Sequence, residues 1–165
     1  MSFCRPTPPT PLSYYSPHFS KLELRSSEMA ARKGIINMPN AAADANLNCL
    51  CAEFLEPIRL HFGPIRVTSG YRCSTLNALI GGSKSSAHMD GCAVDFQPLR
   101  PRVTLIEVMG WVRSSPLPFD QLIHEYGSWI HLGIAPFGKI PRREALMIAH
   151  GTSYRSYDAT KLVIP

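Results

Sequence analysis

The chain has 165 residues, 45% of them apolar, so it can bury one hydrophobic core and is too short for two ordinary domains. Its 17 basic and 12 acidic residues give a formal charge of +5, but the basic residues are scattered, which disfavours a nucleic-acid groove. No segment approaches 18 uninterrupted apolar residues, so we expect no membrane insertion.

The first seventeen residues contain five prolines, which remove backbone donors and favour extended structure. We therefore predict an irregular Pro-rich arm over residues 1–17, followed by a single domain over residues 18–165 that we expect to be a monomer. The N-terminus has neither the apolar segment nor the cleavage site of a secretory signal. This predicts synthesis in the cytoplasm without a signal peptide, so that any extracellular destination needs another exit route.

Helices are predicted in the first part of the chain. Ser20-Lys-Leu-Glu23 matches a capping box, and one or two short helices should end at Gly34. The longest helix should follow Asn40, because apolar residues then recur at helical spacing as far as Gly63. Pro57 is expected to kink this helix near its last turn.

Most strands are predicted further along the chain. The pattern indicates strands over residues 65–68, 93–96 and 145–149, short helices after Ser74 and over residues 104–113, and two strands within residues 119–134 joined around Tyr126-Gly127-Ser128. Helices that gather before strands predict an α+β fold, with N-terminal helices packed on a central antiparallel sheet, rather than alternating βαβ units.

The segment from Ser86 to Phe96 carries a candidate metal site. A loop histidine, His88, precedes a strand aspartate, Asp95, by seven positions. Zn²⁺ accepts both ligand types at about 2.0–2.2 Å, and a catalytic site needs three protein ligands and an open position. Gly91 permits a tight return of the loop, and the small Ala93 leaves room beneath a metal on the face that carries Asp95.

The third ligand is predicted to be His131, on a strand where alternation points it to the same side as Trp129. Trp129 is equally typical of a substrate cleft and of a core position. Five cysteines leave at least one thiol unpaired, and Cys92 is an alternative ligand. Alternation along the strand should, however, turn Cys92 away from Asp95.

These motifs carry a family resemblance. The pattern S-x-H-x-x-G-x-A-x-D from Ser86 to Asp95, the upstream Ser69-Gly-Tyr-Arg72 and the later Trp-x-His resemble the zinc D-Ala-D-Ala carboxypeptidase family. Its relatives include phage endolysin peptidases and the Hedgehog signalling domain. The resemblance extends over roughly residues 18–149, and it implies a zinc site on a central antiparallel sheet and cleavage of peptide bonds in wall peptides.

The resemblance also implies roles for further residues. Ser86 is expected to contact the substrate or support the metal ligands, and Arg72 to hold a substrate carboxylate or polarise the scissile carbonyl. The planar guanidinium of Arg72 suits either task, since it can bind a carboxylate through two nitrogens or stabilise an oxyanion. The alternative for Arg72 is an ordinary surface salt bridge.

The general base depends on the register of the hairpin. Relatives place an acidic or histidine base three to five residues before the last histidine ligand, whereas Glu125 stands six before His131. A three-residue loop pairs Glu125 with Trp129 and puts Glu125 on the face of His131, which makes it the base. A two-residue turn instead places His124 opposite His131, as base or additional ligand. Of the two registers we predict the three-residue loop, with Glu125 as the base.

The leading functional hypothesis is a zinc-dependent peptidase that hydrolyses peptide bonds of peptidoglycan stem peptides, as a carboxypeptidase or an endopeptidase. Synthesis without a signal peptide suits a phage or prophage endolysin that reaches the cell wall through holin-type release. The alternatives are a non-catalytic cell-wall or protein binding module that retains the zinc site, as in the Hedgehog relative, and a structural zinc protein with a fourth protein ligand.

Overall fold

A computed structural model describes residues 13–158. The helices lie mainly in the first half of the chain and the strands mainly in the second, as predicted for an α+β fold. The helices are α1 (Lys21–Arg25), α2 (Glu28–Lys33), α3 (Ala41–Leu50), α4 (Glu56–Phe62), α5 (Ser74–Leu79) and α6 (Leu105–Ser114). The strands are β1 (Tyr14–Ser16), β2 (Phe19–Ser20), β3 (Ile65–Ser69), β4 (Ala93–Pro98), β5 (Phe119–Glu125), β6 (Trp129–Ile134), β7 (Glu144–Ile148) and β8 (Arg155–Ser156).

The central sheet has six strands in the order β3-β4-β6-β5-β7-β8. Its neighbouring strands are antiparallel except β5 and β7, which are parallel. The predicted antiparallel sheet is therefore confirmed with one exception. Of the helices that the structure describes, none has both the length and the apolar character needed to cross a membrane.

The predicted Pro-rich arm lies largely outside the described residues. Its last part, from Ser13, includes strand β1, which pairs with β2 to form a separate two-stranded ribbon. Tyr15 and Ser16 of β1 are buried, at 1% and 2% exposure. This end of the arm is thus regular and packed against the domain.

The N-terminal helices begin and end where the sequence predicts. The Ser20 hydroxyl accepts a hydrogen bond from the Glu23 N–H at 3.1 Å, and Gly34 ends α2 in the left-handed conformation. From Ala41 to Phe62 the chain stays helical, but residues 51–55 form a π-helical turn immediately before Pro57. A proline removes an N–H donor from the helix and a π-helical turn is a common place for a kink, so the kink near Pro57 stays a prediction.

One face of the sheet packs against α3, α4 and α6 to form the core. The strands contribute alternate apolar residues, and the helices contribute an apolar stripe. Fully buried members include Leu47, Leu50, Ile58, Phe96, Val108, Val112, Leu122, Ile130 and Leu132. Because neighbouring positions of a strand alternate, the other face carries Asp95, Glu125, Trp129 and His131.

The hairpin of β5 and β6 has the three-residue loop. Glu125 pairs with Trp129, Ile123 with His131, and His124 with Ile130. The predicted register is confirmed, and the register with a two-residue turn is wrong. His124 therefore lies on the face opposite to His131, whereas Glu125 shares the face of His131.

A close approach between α3 and the loop that carries His88 requires a glycine. Gly91 ends the 3₁₀ turn Ala87–Asp90 in the left-handed region, with φ of 68°. A Cβ atom added at Gly91 would lie 2.3 Å from the carbonyl oxygen of Ala43 in α3. Both the backbone conformation and the contact with a helix therefore exclude larger residues here.

We predict that Gly91→Ala lowers the free energy of unfolding by at least about 3 kcal/mol, because it adds a clash with backbone to the cost of the left-handed conformation. Gly138→Ala is the matched control, since Gly138 has φ of 80° but no atom within 4 Å of an added Cβ. It should cost about 1 kcal/mol. Urea unfolding measures both values, and equal costs would contradict this account of the contact.

Candidate metal centre

Three side chains from separate parts of the chain converge on the open face of the sheet. Among residues 13–158, one group of three or more His, Cys, Asp or Glu side chains could hold a metal ion, and it consists of His88, Asp95 and His131. Strands β4 and β6 bring Asp95 and His131 side by side as a direct pair. The 3₁₀ turn brings His88 over them from the loop that precedes β4.

The distances between the three side chains fit a single ion. The Nε2 atom of His88 lies 3.3 Å from Oδ1 of Asp95 and 3.3 Å from Nδ1 of His131. Nδ1 of His131 lies 2.8 Å from Oδ1 of Asp95. Ligands at the corners of a tetrahedron with bonds of about 2.0–2.1 Å are about 3.3 Å apart, so a small outward movement of one pair admits Zn²⁺.

His88 is held in the tautomer that a metal ligand needs. Its Nδ1–H donates to the carbonyl oxygen of Gly70 at 2.7 Å, which leaves the Nε2 lone pair directed at Asp95 and His131. Burial lowers the pKa of His88, which favours the neutral ring. Gly70 is needed for this approach, since an added Cβ would lie 2.2 Å from the carbonyl oxygen of Leu24.

Asp95 is a buried carboxylate, 7% exposed, with a partner on each oxygen. Oδ1 faces the two histidines, and Oδ2 accepts from Nη2 of Arg72 at 3.0 Å. Burial by itself would raise the pKa of Asp95, but the two histidines beside Oδ1 outweigh it and hold the pKa well below its usual range. The carboxylate is thus ionised and ready to bind a cation.

Arg72 does not form an isolated surface salt bridge. Besides its bond to Asp95, its Nε donates to the hydroxyl of Ser69 at 3.0 Å, and its backbone N–H donates to the carbonyl of His88 at 3.2 Å. The guanidinium therefore borders the cluster and fixes one metal-ligand candidate. Its predicted contact with substrate stays a prediction, as does that of Ser86, which begins the turn carrying His88.

The described residues offer no fourth protein ligand from Cys92 or His124. The Cys92 thiol is free, is directed at the carbonyl oxygen of Asp90, and has a pKa that burial raises to about 11. A protonated, buried thiol is a poor ligand. His124 lies on the other face of the sheet, where burial lowers its pKa.

Glu125 lies at the edge of the cluster, paired with Trp129. The indole N–H of Trp129 donates to Oε2 of Glu125 at 3.0 Å, which fixes the carboxylate on the face that carries His131. Burial, and then the charge of Asp95, raise the pKa of Glu125. A carboxylate with a raised pKa beside a metal site has the properties of a general base.

Two asparagines that carry no sequence motif hold the loops of the site. The Asn37 amide donates to the carbonyls of Arg25 and Tyr71 at 2.8 and 2.9 Å and accepts from the Cys73 N–H at 2.8 Å, which fixes the segment on both sides of Arg72. Asn46 of α3 donates to the carbonyl of Asp90 at 2.9 Å. Neither contact could be predicted, because each joins residues that are far apart in the chain.

Comparison with known proteins gives one finding. The sequence model of the family described as Peptidase M15 matches residues 17–133, which is more than half of the chain and includes all three converging side chains. No curated protein matches the chain.

We predict that the protein binds one equivalent of Zn²⁺ and that a zinc concentration 100-fold above Kd raises the free energy of unfolding by about 2.7 kcal/mol. His131→Ala should abolish this increment, whereas Cys92→Ser should retain it. Isothermal titration and urea unfolding with and without zinc measure both quantities. Loss of the increment in Cys92→Ser would show that the ligand set is wrong.

Asn37→Ala is predicted to cost about 2–3 kcal/mol of stability, because three hydrogen bonds are lost together and their partners keep their polar groups. Asn46→Ala, which removes one bond, should cost about 1 kcal/mol. Chemical denaturation compares the two variants. A smaller loss for Asn37→Ala than for Asn46→Ala would mean that the Asn37 network does not hold the segment around Arg72.

Proposed function

The chain belongs to the Peptidase M15 family, the zinc D-Ala-D-Ala carboxypeptidase family that its motifs predict, and on that premise we propose that it is a zinc-dependent peptidase acting on bacterial peptidoglycan. The observation that carries the proposal is the convergence of His88, Asp95 and His131 at ligand distances. The donor set of two imidazoles and one carboxylate, with no fourth ligand from Cys92 or His124, is typical of catalytic rather than structural zinc sites.

His88, Asp95 and His131 would hold the zinc through Nε2, Oδ1 and Nδ1. When bound, zinc supplies a Lewis acid that polarises a carbonyl and lowers the pKa of water. The protein supplies the order around it: the Gly70 carbonyl orients the His88 ring, and Arg72 orients the Asp95 carboxylate. Such supporting contacts commonly change metal affinity or activity 10- to 100-fold when removed.

Glu125 is the proposed general base. It takes a proton from the attacking water and later gives it to the nitrogen of the broken peptide bond, which leaves as an amine. Two observations support this role: Glu125 shares a face with His131, and its Oε2 is held by Trp129. The hydrogen bond leaves Oε1 as the oxygen that can receive the proton.

Arg72 has two proposed tasks. It holds Asp95 through Nη2, and the same side chain is 15% exposed, so we propose that it also binds a substrate carboxylate or a polarised carbonyl oxygen beside the metal. Ser86 and Trp129 are proposed to contact the substrate. The wall is the proposed place of action, because the stem peptides are there.

The proposed reaction covers two kinds of product. A carboxypeptidase releases a terminal D-Ala from the stem peptide, whereas an endopeptidase shortens the stem or its cross-bridges. Mass spectrometry of products from defined muropeptides separates them. Release of D-Ala alone would support the first, and internal fragments the second.

Activity should require both the metal and Glu125. Chelation should abolish peptide release from purified wall and added zinc should restore it, while Glu125→Gln should lower kcat about 10²- to 10⁴-fold because the proton acceptor is lost. Glu144→Gln is the matched control, since Glu144 lies on β7 and bonds Gln121 and Arg142 rather than any of the three candidate ligands. It should change kcat less than about twofold.

Two results would contradict the proposal. Equal activity of Glu125→Gln and Glu144→Gln would remove Glu125 from the reaction. Tight binding to wall with no peptide release, with or without zinc, would instead favour the non-catalytic binding module.

A further inference from the structure

Aromatic rings gather at the β5–β6 hairpin, on the side of Trp129. The ring of Tyr126 lies 5.6 Å from that of Trp129 at an interplanar angle of 59°, and it stacks on His150 at 4.7 Å and 25°. These residues belong to two loops, residues 126–129 and 150–154, which we call the aromatic rim. Tyr154, 55% exposed, lies in the second of these loops.

Hydrogen bonds fix both loops of the rim. The Tyr126 N–H donates to the carbonyl of Ile148 at 2.9 Å, and Gln97 donates to the carbonyl of Ser128 at 2.6 Å. In the second loop, the Thr152 hydroxyl donates to the carbonyl of Ala149 at 2.9 Å and accepts from its N–H at 3.0 Å. The backbone of both loops is therefore held in place before any ligand arrives, which lowers the entropic cost of binding.

Tyr126 adopts a conformation that favours other residues. Its φ is 53°, in the left-handed region that glycine and asparagine occupy more readily than a bulky side chain. Non-glycine residues held in such regions cluster at functional sites. A smaller residue would fit this turn with less backbone strain, so the tyrosine at position 126 is not explained by the turn itself.

The chemistry of the rim indicates its ligand. Residues 126–129 and 150–154 contain no Asp, Glu, Lys or Arg, but they contain aromatic rings and the hydroxyls of Ser153 and two tyrosines. Flat rings beside hydroxyl groups complement a neutral ligand that has an apolar face and a polar edge, which describes a pyranose sugar.

The rim adjoins the proposed reaction centre. Trp129 precedes His131 by two positions on the same face of β6, a distance of about 7 Å along the strand. Trp129 also bonds Glu125, whose next neighbour in the chain is Tyr126. A ligand bound to the rim would therefore lie close to the peptide bond that is cleaved beside His131.

We propose that the aromatic rim is a sugar subsite that binds an N-acetylated sugar of the glycan strand to which the stem peptide is attached. The inference rests on the proposed function, and it adds that the enzyme recognises the glycan as well as the peptide. It predicts a preference for stem peptides that still carry their sugar.

The first test compares hydrolysis of a disaccharide-linked stem peptide with that of the same peptide without sugar. Tyr126→Asn, which suits the left-handed conformation, should lower kcat/KM about tenfold on the sugar-linked substrate and less than about twofold on the free peptide. Phe137→Ala is the matched control, because Phe137 is an aromatic residue, 83% exposed, beyond the other end of β6. It should change neither value, and the melting temperature should stay unchanged in both variants. An equal loss on both substrates, or none on either, overturns the sugar subsite.

The second test does not depend on catalysis. In a Trp111→Phe background, Trp129 is the one remaining tryptophan, since the chain has two. Titration with a β-1,4-linked tetramer of N-acetylglucosamine should change its fluorescence, and Tyr126→Asn should weaken the binding at least about fivefold. No change up to millimolar sugar, or equal affinity in both proteins, overturns the subsite. Sugar binding by a protein that releases no peptide would support the subsite and contradict the proposed hydrolase.

Discussion

The buried carboxylate of Asp95 is the interaction on which the site depends. An ionised carboxylate inside a protein is unfavourable unless charge and hydrogen bonds surround it, and Asp95 has Arg72 on one oxygen and His88 and His131 on the other. Satisfying these contacts requires strand β6, the segment after β3 and the turn before β4 to meet at one point. The local geometry of the site therefore depends on the placement of a single charge on β4.

Local signals in the sequence predict much of this arrangement. The Ser20 cap, the glycine at position 34 and the three-residue hairpin loop each depend on neighbouring residues, and each was predicted correctly. The hairpin register mattered most, because it decides that Glu125 and not His124 shares a face with His131. The convergence of the three candidate ligands was also predicted, although from the family resemblance as well as from strand alternation.

Features that join distant parts of the chain could not be predicted in the same way. The parallel pairing of β7 with β5 depends on the path of the connection after β6, which carries no local pattern. The contacts of Asn37 and the stacking of Tyr126 on His150 join residues brought together by the finished fold. Arg72 was expected to meet the substrate, but its bond to Asp95 became apparent only with the strands in register.

The central claim is that two imidazoles and one carboxylate bind a single zinc ion and leave one coordination position for solvent. X-ray absorption spectroscopy of the zinc-loaded protein tests it most directly, because it measures the distance from zinc to each kind of ligand. A sulfur ligand lies at about 2.3 Å from zinc, whereas a nitrogen or oxygen ligand lies at about 2.0–2.1 Å. We expect zinc to have four nitrogen or oxygen ligands, two of them imidazole rings, and no sulfur ligand. An added thiolate inhibitor should replace one of these four ligands with its sulfur. A sulfur ligand in the protein alone, or a fourth ligand that the inhibitor cannot replace, would contradict it.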